Sequence, residues 1–520
     1  MGGGYDLKRY VAESGSLPSP SLPRYLRDLQ ANEDVTAHVS SELDKGLSLP
    51  RKRRTIGFAP VSPARGTLPM DFLFHYIALD DYVPIEETPS GKPASAVRGT
   101  LEDYDRLGLL LLLAQLNRQC DRQEDLDRLM GYYCSCLNDS TRGRLDAAMA
   151  RREGPHDKPP RILARQCVLA AMKELLRRPL DDGVRREQPE PFHAVMLTHA
   201  SGSVLGLEGE EDGEMLGGVP ANMMLYLVRN QALYQEDNAY ASIDRTVRLW
   251  RDFAPYARKE KLRAEPSELV REATGLELED LLAMGFAAWA HATAWSPEKP
   301  LLMSEMFGAM AEEHVELFYS AVAARPDEFH ILLRNSTSQF DFLPFEQKPV
   351  LELDNGWLVL DQRYLWARFT SGLFWLVNDH EKLTRGSEKD SKRWRRGYGA
   401  MIEAMVEDQL QSMAPTLLKA RREKGFYTED DFERAYGEGI SRPDATIDLR
   451  HHMLMFEVQS GQLSKGTRVD GDVEWFKKDT QRLILKKYRL LDSGGRAVLD
   501  DPEALTGDPP YPGMRVLPWS

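Results

Sequence analysis

Cysteine is scarce in this sequence. Cys120, Cys134, Cys136 and Cys167 are the four among 520 residues, too few for a disulfide framework in so long a chain. Cys134 and Cys136 form a C-x-C pair with no second pair at zinc-ligand spacing, so reduced, mostly buried thiols are the better reading. Long apolar runs are missing as well. The longest, Leu109–Ala114, falls far short of the roughly 20 residues a membrane-spanning helix needs, and Met1–Arg9 lacks the apolar stretch of a secretory leader. A soluble, cytoplasmic protein without a membrane partner is expected. No G-x-x-x-x-G-K-[ST] phosphate loop occurs, and the glycines of Ser201–Gly218 do not follow a strand as dinucleotide-binding glycines do, so ATP- or NAD-driven chemistry has no support. Also absent are a G-x-S-x-G elbow, a Cys-His nucleophile signature and a repeat of fixed period. His193 and His199 fit no zinc spacing, and Ala311 stands where a Glu-x-x-His di-iron pattern ending at His314 needs its glutamate.

What is present is an ordinary globular composition, long enough for two to four domains. The net charge of −14 argues against a surface that wraps nucleic acid as a whole, but a local basic channel is compatible with it. Between Arg385 and Asp492 basic side chains outnumber acidic ones by two, against a strongly acidic remainder.

The expected fold class is α+β: a large N-terminal α-helical region, a β-hairpin bridge and a C-terminal α/β core. Residues 1–65, polar and carrying the basic run Arg51–Arg54, are expected to form a partly disordered arm. Over 66–340 helical spacing dominates, at Leu107–Leu116, Arg161–Leu176, Leu225–Leu233, Leu278–Trp295 and Leu301–Ala323, with Ser201–Gly218 as a surface loop. The Trp and Phe stripe of Phe286–Trp295 is assigned to core rather than base stacking. In 341–384, two strand-like runs flank Asp354-Asn355-Gly356, a hairpin signal, and an aromatic-rich helix follows at Tyr364–Val377. The last segment, 385–520, should contain a helix over Trp394–Met413, strands at Ala445–Leu449 and Met453–Val458, and a helix over Val473–Leu491. It closes on Arg515–Ser520, which reads as the start of another strand and suggests a chain cut short at its C-terminus.

Candidate chemistry gathers in that segment. A turn at Arg450–His452 would fold Asp444 back beside Glu457, and strand alternation sets Glu457 and Gln459 on one side. Glu457 lies within the apolar run Met453–Val458, where an unpaired charge is costly. Glu403 and Glu407 are one helical turn apart upstream, so one carboxylate can reach toward the sheet. Carboxylates at the mouth of a small sheet make a hard-oxygen site suited to Mg²⁺ or Mn²⁺. Downstream, Lys477, Lys478, Arg482, Lys486 and Lys487 recur on a helix, where cations can meet phosphate. His451 and His452 read as exposed turn residues.

This order of a glutamate-bearing helix, paired strands and a basic helix resembles the PD-(D/E)xK nuclease superfamily, over roughly residues 394–491. The resemblance implies a restriction-endonuclease-like core in 385–520. Glu403 then corresponds to the helix glutamate, Asp444 to the aspartate of the "PD" and Glu457 to the acidic residue of the next strand. The family's usual lysine falls on Gln459; Lys465, Lys477 or Lys478 are the candidates for a migrated cation. The activity implied is Mg²⁺-dependent hydrolysis of phosphodiesters, most of all in DNA. Asp444, Glu457 and Glu403 would hold the metal, Gln459 would position the water, and Lys477, Lys478 and Arg482 would touch the nucleic acid. The helical region would recognise the target, hold a protein partner or restrain the nuclease, and a homo-oligomer is compatible with this scheme. Defence against foreign DNA, or repair, is the expected setting. The alternative is a helical scaffold or regulatory protein whose nuclease-like domain binds nucleic acid without cutting it.

Overall fold

The computed structural model describes the chain from Leu101 onward, apart from residues 121–122, 153–161, 205–214, 217–218, 221–224, 226–238, 294–300, 308–309, 335, 337, 418–424, 450–451, 510–514 and 520. The polar arm, the start of the helical region, nearly all of Leu225–Leu233, most of the Gly-rich loop and His451 therefore lie outside the described residues. Contacts divide the chain into two compact units. Among the described residues no helix is long and apolar enough to cross a membrane.

The described residues of the first unit fall within 101–244, Thr274–Leu373 and Arg468–Gly471. Its core is built on α1 (Arg106–Gln119), α2 (Arg165–Leu176) and α3 (Pro191–Val204). Leu109, Leu110, Leu113 and Leu116 bury several sides of α1 against Val168, Leu169, Met172 and Val195, as expected for a helix apolar around most of its circumference. Strands β1 (Met215–Leu216) and β2 (Val219–Pro220) form a short antiparallel pair. The stretch read as a Gly-rich surface loop is thus helical at its start, through Val204, and paired near its end.

Helix α4 (Leu278–Thr293) carries the aromatic stripe, and Trp289 meets Trp366 with ring centroids 4.5 Å apart, so the stripe is core. The single helix expected over Leu301–Ala323 is instead a 3₁₀ turn, Ser304–Phe307, and a helix, Glu312–Val322. That helix stops because Ala323 is extended and opens β3 (Ala323–Ala324). The expected hairpin is present as β4 (Val350–Leu353) and β5 (Gly356–Val359), and β3 runs parallel beside β4. Gly356 has φ +139°, and a Cβ there would lie 2.7 Å from the Leu302 carbonyl, so this turn requires glycine. Leu351 and Leu358 join the core of the first unit, so the hairpin belongs to this unit. The helix read over Tyr364–Val377 is two, Gln362–Arg368 and Leu373–Asp379, broken where the Gly372 N–H donates to the Ala367 carbonyl at 2.6 Å.

Arg165 and Asp361 form a buried ion pair in this core. Nε and Nη2 of Arg165 donate to the two carboxylate oxygens at 2.8 and 2.7 Å, and Asn117 Nδ2 and the Tyr364 N–H complete the shell at 2.9 and 2.8 Å. Burial pushes the Asp361 carboxyl up, but the Arg165 charge and these hydrogen bonds outweigh it and hold the group below the ordinary range. Arg165→Met should therefore cost about 3–5 kcal/mol, because it strands a buried carboxylate. Chemical denaturation checks this, and an unchanged midpoint would contradict it.

The second unit comprises Arg245–Ala273, Phe374–Thr467 and Asp472–Ser520. Helical spacing alone assigns Arg245–Ala273 to the preceding region. Its Trp250, however, packs on Trp394 and Tyr398, with centroids 5.4 and 6.2 Å away, on helix α5 (Glu388–Leu417). At about 1.5 Å per residue the 30 residues of α5 run about 45 Å, longer than the sequence pattern marked.

After α5 come β6 (Phe426–Thr428), helix α6 (Glu429–Tyr436), β7 (Ala445–Asp448) and β8 (His452–Phe456). Helix α7 (Val473–Thr480), a π-helical turn at Gln481–Leu485 and helix α8 (Lys486–Asp500) then carry the chain to β9 (Arg515–Trp519). The sheet order is β6-β7-β8-β9: the first three strands alternate direction, and β9 runs parallel to β8, which requires a crossover such as α7–α8. Alternation along the strands sorts two cores. Ala445, Ile447, Leu454 and Phe456 pack with Leu410 of α5, while Met453 and Met455 pack with Phe432 of α6 and Leu491 and Val498 of α8. Gly494 lets α8 approach closely, since a Cβ there would lie 2.9 Å from the Ser441 carbonyl and 3.0 Å from Met455 Cε.

Candidate metal-dependent active site

Asp444 and Glu457 flank the open end of the β7–β8 hairpin. The ladder pairs Ala445 with Phe456, so one further step places Asp444 opposite Glu457. The Val458 N–H donates to Asp444 Oδ2 at 2.5 Å, which closes this step. Strand alternation, continued one residue, turns both carboxylates to the face covered by α8. From there Lys487 donates to Glu457 Oε1 as an ion pair. Glu457 Oε2 is buried and has no hydrogen-bond partner among the described residues, an uncommon state for a carboxylate oxygen.

Glu403 reaches the site from α5, whose Gly399 lies one turn earlier. A Cβ at Gly399 would be 3.2 Å from Ser460 Oγ, so α5 passes close to the loop after β8. Electrostatics tie the three acids together. Burial raises the carboxyl of Glu403 above its usual range, and the Asp444 charge adds to this. Burial likewise raises Asp444, against the Val458 hydrogen bond and the Lys487 charge. Glu457 is raised by burial and by Asp444 and Glu403, with Lys487 opposing. Glu407, one turn beyond Glu403, is raised by burial and then by Asp430.

The three carboxylates do not, however, close to single-ion spacing. Among the described residues, the group with ligand atoms mutually within 4.8 Å is Glu272, His380 and Glu381. That cluster already has its cations: Arg263 donates to Glu272 and to the buried Glu381, and Arg385 lies 3.7 Å from Glu381. Helix α5, which carries Glu403, packs on the opposite face of the sheet from α8.

The remaining sequence candidates divide. Gln459 is exposed and lies beyond the end of β8, so the strand alternation that set it beside Glu457 does not extend to it; its amide folds over Gly461 instead. Lys477 pairs with Glu474 at 2.9 Å, Lys478 sits over the Trp475 ring at 4.7 Å, and Lys465 is exposed where the π-helical turn Gly466–Asp470 begins. Arg482 donates to Asp479 at 2.9 Å and to the Gln462 carbonyl at 2.8 Å. Asp479 is itself buried and accepts from Ser464 N and Thr467 Oγ1, both at 2.7 Å, so it fastens the loop after β8 to α7. None of the three lysines first considered is seen at Glu457; the cation there is Lys487. A signal for it existed, because Lys487, Leu491, Gly494 and Val498 recur at helical spacing as the inward face of α8.

An unpartnered buried oxygen and raised carboxyls fit a hard divalent cation, which takes oxygen ligands and relieves their repulsion. A carboxyl raised in the folded state binds protons more tightly there, so stability falls as pH rises through and above the ordinary carboxylate range. A cation held by the ionised acids should restore it. Mn²⁺ at a hundredfold excess over its Kd should add about 2.7 kcal/mol, a few degrees in Tm. This is expected at neutral pH, and no shift in acid, where the carboxyls are protonated. Thermal melts with and without Mn²⁺ at both pH values measure it, and equal shifts at both would contradict it.

No family model, curated protein or solved structure matches the chain.

Proposed function

We propose that the C-terminal unit is a Mg²⁺- or Mn²⁺-dependent nuclease of the PD-(D/E)xK kind, acting on DNA. The observation that carries this reading is the pairing of Asp444 and Glu457 at the open end of β7–β8, with one buried Glu457 oxygen lacking a partner among the described residues. The element order supports it: a glutamate-bearing helix, a three-strand antiparallel meander and a helical crossover to a parallel strand. Asp444 and Glu457 would hold the cation, with Glu403 adding negative charge from α5. A bound divalent ion supplies Lewis-acid stabilisation of the phosphate and a lowered water pKa. Lys487 takes the place that the sequence resemblance gave to Gln459: it holds Glu457 and sets a positive charge beside it. Burial of Glu457 keeps bulk water from screening these charges.

The test is incubation with supercoiled plasmid and Mg²⁺ or Mn²⁺. Metal-dependent nicking lost in EDTA and in Glu457→Gln supports the proposal; its absence with both metals overturns it. A second reading, a nucleic-acid binder without hydrolysis, is favoured by the Lys487–Glu457 ion pair, which already neutralises one ligand. That reading expects DNA affinity in EDTA and no nicking. A role in defence against foreign DNA, or in repair, belongs to the same proposal. It expects toxicity on overexpression that Asp444→Ala relieves, and equal toxicity of the variant would oppose it.

A further inference from the structure

The crossover that delivers Lys487 carries a second, outward face. Trp475, Ile484 and Tyr488 are 46, 55 and 54% exposed, and Leu485 is exposed beside them. Lys478, Arg482 and Lys486 follow one another at a spacing of four, and Arg489 lies four beyond Leu485, so cations and apolar side chains line adjacent rows of one helical surface. Between Val473 and Arg496 cations exceed anions by four, in a chain whose net charge is −14.

We infer that the outer face of α7, the π turn and α8 binds single-stranded nucleic acid, its rings stacking on unpaired bases and its cations meeting the backbone. The substrate class rests on the nuclease reading and narrows it to DNA with a locally unpaired strand. Charge complementarity selects a polyanion as the occupant. Exposed aromatic rings select unpaired bases over a closed duplex, whose base faces are hidden in the stack. Tyr488 offers a ring over half exposed. Trp475 rests on Gly466, where a Cβ would clash with the indole, and carries Lys478 above it at 4.7 Å. An arriving strand can exchange that cation onto phosphate while the indole takes a base. Lys487 faces inward from the same helix, toward Glu457.

The experiment is fluorescence anisotropy in EDTA, where no cleavage occurs, with a labelled oligonucleotide of mixed sequence and its blunt duplex. The wild type should bind the single strand more tightly. Tyr488→Ala, a surface change whose Tm should match the wild type, should weaken single-strand binding roughly five- to a hundredfold and leave the duplex nearly unchanged. Lys486→Ala should weaken both and lower the salt slope for the single strand by about 0.7. Equal affinity for both forms, insensitive to Tyr488, overturns the inference. So does a dimer in sedimentation that Tyr488→Ala dissolves, or binding to anionic phosphatidylserine vesicles in preference to the oligonucleotide. If the single strand binds as expected and plasmid is never nicked, the binding face stands and the nuclease reading fails; nicking with no effect of these variants on binding is the reverse.

Discussion

Glu457→Gln is expected to lower metal-dependent nicking by about a thousandfold while the protein stays folded. The substitution keeps the size of the side chain but removes the negative charge that a cation needs. Losing that ligand forfeits several kcal/mol of transition-state charge stabilisation, and about 4 kcal/mol is a factor of a thousand. Glutamine leaves Lys487 without its carboxylate, which offsets the relief of neutralising a raised carboxyl, so Tm should change little while activity is lost. Asp444→Asn separates the two effects. Its amide oxygen can still accept from the Val458 N–H, and neutralising a carboxyl that burial has raised should leave Tm unchanged or higher while activity falls equally. A gain in stability with a loss of function is the usual signature of a strained active site. Full activity in Glu457→Gln would remove the residue from the chemistry.

The second large effect is expected at Lys487. Lys487→Met should lower nicking about a hundredfold, the scale of one preorganised charge in a partly desolvated site. Lys487→Arg should recover part of it. The pH profile distinguishes a chemical role from a merely structural one. Lys487 lowers the Glu457 carboxyl through its hydrogen bond and its charge, so without it that carboxyl rises further. The acidic limb of activity should then move to higher pH, and Mn²⁺ should partly compensate at neutral pH. A uniform loss at every pH, with no displacement of the limb, would leave Lys487 as packing alone.

Much of this site could be read from the residues because its geometry is local. Asp444 and Glu457 are joined by one hairpin, and strand pairing converts their separation in sequence into a position across from each other. Glu403 sits on a helix that its spacing marks, although the helix runs further at both ends than the spacing shows. The strand at Arg515–Trp519 and the β4–β5 hairpin were equally visible. Lys487 was legible on α8 through its spacing with Leu491, Gly494 and Val498, but a π turn breaks its register with α7. Eight residues of regular α-helix would leave it about 80° from the buried Asp479. The wider turn at Gln481–Leu485 absorbs roughly one residue and brings both to the inward face. The lysines first considered, Lys465, Lys477 and Lys478, all precede that turn. Gln459 was misplaced for a related reason: the alternation used to orient it stops at Phe456, where β8 ends. The attachment of Arg245–Ala273 to the second unit depends on Trp250 meeting Trp394, a contact between residues far apart in sequence that no periodicity encodes.

Calorimetric titration of Mn²⁺ into the full chain at neutral pH bears most directly on the carboxylate site. The wild type should show saturable binding that Glu403→Gln weakens and that both Asp444→Asn and Glu457→Gln abolish. Identical isotherms for the wild type and these variants, or no binding to the wild type, would contradict the assignment of these acids to a metal.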